Sequence, residues 1–187
     1  MAFLCQNIGD NNCGAFAMAY WVWMALNGRH PNNGPQPNDA AWANTIYQHI
    51  MFGDNTMGDL PGEFSDPRAM IGMLRNTYGM QGTILHTANN VLYNFFIQYF
   101  NPADVIADFP DRTTLPDLAP GQYAILIVGP DENSPTHYVL VQGTCDGVNV
   151  IDPANGVLVY YHGINIGDLY VGNPGPVNTQ TAIYINP

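Results

Sequence analysis

Hydrophobic and polar positions change their pattern about half-way along the chain. From Gly14 to Leu26 every position is apolar or small, with no polar stripe, which predicts a helix buried on all sides. Asn27-Gly28 ends that run with a C-terminal stop signal. Trp42, Ile46 and Ile50 recur at four-residue spacing and predict a second helix over 39–52. Ser65 reads as an N-cap, Pro67 as a first-turn residue and Gly79 as a stop, giving a third helix over 66–78. A fourth is expected over 89–100, before Asn101-Pro102. The second half switches towards period two, with strands predicted over 82–86, 105–109, 123–128, 137–142, 148–151, 157–161 and 181–185. Asp146-Gly147 between two of these suggests a tight hairpin turn.

Helices that precede a set of antiparallel strands argue for an α+β domain. The 187 residues amount to one domain at about 150 residues each. We therefore expect a single domain over 1–187, with a helical part over about 1–100 packed on a β-rich part over about 101–187 and a cleft between them. There is no internal repeat or low-complexity tract, and the Pro-Gly-rich stretch 172–176 reads as a loop rather than a linker. The longest apolar run, from Ala15 to Leu26, is twelve residues and too short to span a bilayer. No basic segment precedes an apolar stretch at the N-terminus, so no secretory signal peptide is expected.

Composition narrows the partners. Only 10% of residues are charged, against about 25% in typical domains. Four basic and fifteen acidic residues give a net charge of −11, which argues against nucleic acid or an anionic membrane as a partner. The four basic residues are Arg29, Arg68, Arg75 and Arg112, so the chain has no lysine. That absence fits compositional drift, an extracellular setting, or work inside a host that conjugates ubiquitin to lysines.

Cys5, Cys13 and Cys145 are too few and too scattered for a disulfide framework or a zinc signature. His30, His49, His86 and His162 have no partner at ligand spacing, and no glycine-rich phosphate cradle follows a strand, so neither metal nor cofactor is expected. Asp10, Asp54, Asp59 and Asp66 read as solvated loop positions, and Trp21, Trp23 and Trp42 as core.

A few positions carry chemistry. Cys13 opens the most apolar helix, where free N–H groups and the helix dipole favour a thiolate, although a small buried core cysteine is the plainer reading of such a residue alone. His137 starts a strand straight after a loop. Asp152 ends the next strand of the same hairpin. Pairing about Asp146-Gly147 sets His137 near position 156, at the same end as the 152–156 turn, where a carboxylate or amide can orient an imidazole. Gln6, seven residues before Cys13, can offer an amide to an oxyanion forming near the sulfur.

In this order, Gln6, the run Cys13-Gly14-Ala15-Phe16-Ala17-Met18, the segment Thr136-His137-Tyr138-Val139-Leu140-Val141 and Val150-Ile151-Asp152-Pro153 resemble the papain-like superfamily of cysteine peptidases. With Gly121-Gln122-Tyr123 added, the resemblance points to the branch of peptidase domains that cut bacteriocin leaders and to some cysteine-protease effectors injected by bacteria. It anchors both ends of the chain and leaves 28–100 uncovered. It implies a papain-like fold in which Cys13 is the nucleophile, His137 the general base and acid, Asp152 the orienter and Gln6 the oxyanion donor. Gln6 lies slightly farther ahead of the cysteine than is usual, which makes Asn11 and Asn12 alternative donors, and Asn155 is a second candidate orienter.

The activity so implied is that of a thiol protease cleaving a protein or peptide substrate held in the cleft. Peptidoglycan amide hydrolysis and glutamine deamidation or transamidation are alternatives on the same fold, and a catalytically silent peptide-binding module is an alternative of another class. With the missing lysines and signal peptide, the resemblance suggests a bacterial effector or toxin secreted without a classical signal, an ordinary cytoplasmic enzyme being the alternative.

Overall fold

The structure, a computed structural model, describes residues 12–25, 40–51, 65–87, 115–131, 136–171 and 175–186. Gln6, Asn11 and Cys5, the helix expected over 89–100 and the strand expected over 105–109 lie outside the described residues. Within them the chain is α+β, with helices α1 (Cys13–Ala25), α2 (Ala40–Ile50) and α3 (Pro67–Tyr78). Six strands follow: β1 (Gln81–His86), β2 (Tyr123–Gly129), β3 (His137–Gly143), β4 (Gly147–Asp152), β5 (Val157–His162) and β6 (Val177–Asn186). A 3₁₀ turn, Ile166–Asp168, precedes β6. No helix among the described residues is long and apolar enough to cross a membrane.

The missing polar stripe of α1 has its expected consequence: every residue from Cys13 to Val22 is buried. The helix lies between the sheet, chiefly β3, and α2. Trp21 and Trp42 are core residues, as expected. In α3, Gly79 adopts the left-handed conformation at φ 68° and closes the helix through its N–H to Arg75 and Leu74. The cap at the other end is Asp66, not Ser65: its backbone is extended and its carboxylate accepts the Arg68 N–H at 2.8 Å. Ser65 is instead engaged in a backbone bridge with Met51. Asp66 is therefore no solvated loop residue; it is 8% exposed and pairs with the Arg68 guanidinium at 2.9 Å.

The strands form one antiparallel sheet in the order β1-β6-β2-β3-β4-β5. The helices cover one face, over Ile84, Ile125, Ile127, Tyr138, Leu140, Ile151 and Ile183. Leu115, Leu118, Ile166 and Leu169 cover the other, over Leu126, Val139, Val141 and Val150. Burial on both faces explains why the central strands are apolar at nearly every position instead of alternating. The exception is the edge strand β5, where Val157, Leu158, Val159 and Tyr160 are exposed.

The β3–β4 hairpin differs from the two-residue turn expected at Asp146-Gly147. Gly143 pairs with Val148, so four residues, 144–147, make the connection, and the register falls two residues short of the expected one. A slip of two keeps every side chain on its own face, because the side-chain period of a strand is two. Leu140 pairs with Ile151, which sets Val139 across from Asp152 and His137 on the diagonal.

Candidate active site

That diagonal brings two of the expected residues into contact. His137 Nε2 and Asp152 Oδ1 lie 2.6 Å apart. Their side chains are 18% and 21% exposed, so water screens the pair only in part. Asp152 is itself fixed by the turn that follows β4, accepting the Ala154 N–H on the same oxygen at 2.8 Å. Asn155, the other candidate orienter, spends its carboxamide oxygen on the Val157 N–H at 2.9 Å within that turn. The structure thus gives the contact with His137 to Asp152.

Helix α1 supplies the third group. Cys13, in its first turn and 2% exposed, lies close enough to the His137 imidazole to favour its protonated form. With Nε2 on Asp152, Nδ1 is the ring nitrogen left for the sulfur. The neighbouring Asn12 backbone carbonyl accepts from the Phe16 N–H and so begins the helix. The first N–H groups of a helix have no partner inside it, and Cys13 is the first residue of α1. The Asn12 carboxamide, an alternative oxyanion donor on sequence grounds, gives its N–H to Asn44 at 3.3 Å.

Three influences set the protonation of His137. Burial is the largest and works against the charged ring; the hydrogen bonds to Asp152 and Cys13, with the charges of both, outweigh it and raise the imidazole to about 9. Burial pushes Asp152 up, but His137 and the Ala154 N–H outweigh it and hold the carboxyl below its ordinary value. Both shifts describe an imidazolium held beside an ionised Asp152 at neutral pH.

The structure also brings to this site two residues that had no part in the chemistry expected from sequence. Tyr138, next to His137, is buried and donates its hydroxyl to the Ser65 carbonyl at 2.9 Å. Ser65 is wholly buried and lies against Gly14, next to Cys13. The lone tyrosine in a Val-Leu-Val strand was the available signal, since a buried phenol needs a partner. Far from this site, His162 and Asp146 pair at 3.3 Å at the exposed end of the hairpin, beside the exposed Cys145. Among the described residues no group of three His, Cys, Asp or Glu side chains could hold a metal ion.

No protein-family model matches the chain, and no curated protein matches it.

Proposed function

We propose that the chain is a papain-like cysteine hydrolase that cleaves a peptide bond through an acyl-enzyme. The observation that carries this reading is the meeting of His137 and Asp152 beside Cys13, which opens a thirteen-residue helix buried from Cys13 to Val22. A ring already protonated at neutral pH cannot take a proton from a thiol. The reactive form is therefore a thiolate–imidazolium pair, with the proton resting on His137 and Asp152 holding the ring.

From that state the steps balance. The Cys13 sulfur attacks the carbonyl carbon, and a C–S bond forms. The oxyanion faces the free N–H groups of the first turn of α1, and the resemblance to papain-like enzymes offers Gln6 as a further donor. The C–N bond breaks and His137 gives its proton to the leaving amine. Water then loses a proton to His137, attacks the thioester, and the C–S bond breaks to release the acid. A silent peptide-binding module would have no use for an imidazolium held by Asp152 beside a helix-start cysteine.

The test is end-mapping of cleavage products from a cell-extract proteome, wild type against Cys13→Ala. New termini that need Cys13 support the proposal. The same termini from both proteins would overturn it.

A further inference from the structure

We infer that Tyr138 is a positioning residue that, through Ser65 and Gly14, sets the spacing between Cys13 and His137. This rests on the hydrolase reading and names the device that holds its two reacting groups together. Cys13 belongs to α1 and His137 to β3, elements packed on one another by non-directional apolar contact. Their immediate chain neighbours are tied. Tyr138 follows His137 and donates its hydroxyl to the Ser65 carbonyl at 2.9 Å. Ser65 in turn sits hard against Gly14, where a Cβ would lie 2.5 Å from both its Cβ and its Oγ. One hydrogen bond and one close contact therefore join the residue after the histidine to the residue after the cysteine.

The materials of this link suit a spacer. Tyr138 and Ser65 are buried, and the Ser65 hydroxyl has no hydrogen-bonding partner, so it makes no competing tie to another element. Burial first, then the charges of Cys13 and Asp66, keep the Tyr138 phenol protonated, so it remains a donor throughout the ordinary pH range. Gly14 is the only residue type that lets the Ser65 side chain approach so closely, because any Cβ falls inside contact distance.

The experiment uses the full chain with Cys5→Ser and Cys145→Ser, leaving Cys13 as the only thiol. Two quantities are read: the rate of Cys13 carbamidomethylation by iodoacetamide at pH 6, and the midpoint of the His137 ring-proton titration by NMR. Tyr138→Phe should slow the first about tenfold to a hundredfold and lower the second, with melting still cooperative. Gly14→Ala should do the same, and Ser65→Gly added to it should restore both readings, since it removes the two atoms at 2.5 Å and leaves only the flexible Met70 sulfur, at 3.3 Å. The rescue keeps the test decisive should either single variant fold poorly. A folded Tyr138→Phe with both readings at the parent's values overturns the positioning role while leaving the hydrolase reading intact. A parent protein with an ordinary His137 midpoint overturns the hydrolase reading, and with it this one.

Discussion

Replacing Asp152 by asparagine isolates the charge of the carboxylate from its geometry. Asparagine keeps an oxygen where Asp152 Oδ1 meets His137 at 2.6 Å and accepts the Ala154 N–H, so neither the ring nor the turn loses its acceptor. Only the negative charge goes. A hydrogen bond to a charged group contributes about 1.5–3 kcal/mol. At about 1.36 kcal/mol per pKa unit, that is about one to two units. Because the two side chains are no more than 21% exposed, water leaves most of that effect in place. The His137 midpoint should fall from about 9 to between about 7 and 8. The assay is the NMR titration of the His137 ring in wild type and Asp152→Asn, with kcat followed once a substrate is known. A shift of less than a few tenths of a unit would refute the reasoning, and a large shift in Asn155→Ala instead would pass the orienting role to the asparagine.

Cys13→Ala should abolish turnover and leave thermal melting within a few degrees of wild type, because it removes one sulfur atom from a helix start whose backbone it does not cap. The raised His137 adds stability that is complete below its unfolded midpoint of about 6.5 and is lost as pH rises through about 9. Urea unfolding should therefore show a fall of at most about 3 kcal/mol across that window, which His137→Gln should flatten; a rise there contradicts the assignment. Gly79→Ala meets no atom within 4 Å but forces a Cβ into a left-handed conformation at φ 68°, so it should cost about 1 kcal/mol in the same assay without altering His137.

Local signals were legible where local chemistry decided the structure. The all-apolar run from Gly14 to Leu26 foretold a helix buried on all sides, and Gly79 marked the end of α3 because few other residues accept its conformation. The α3 cap was misplaced by one residue for a local reason: Ser65 is drawn into a bridge with Met51 and packed on Gly14, leaving Asp66 to cap. The hairpin turn was shorter in expectation than in structure, yet the two-residue slip left His137 and Asp152 on one face. What the sequence could not show is non-local. Nothing in β1 announces that it pairs with β6, the last strand, or that β6 runs between β1 and β2. The tie from Tyr138 to Ser65 spans 73 residues and appears only once α3 and the sheet are packed. The meeting of His137 with Asp152 was readable because each stands at the end of its strand, where side chains meet.

The most direct test of the hydrolase reading sets reactivity against exposure within one molecule. Cys145 is exposed and Cys13 is 2% exposed, so access alone favours Cys145 in carbamidomethylation by iodoacetamide at pH 6. Only a thiolate is a good nucleophile, and an ordinary thiol reacts slowly at that pH. Cys13 should be labelled faster than Cys145 in the wild type, and His137→Ala should reverse the order. Faster labelling of Cys145 in both proteins would contradict the hydrolase reading.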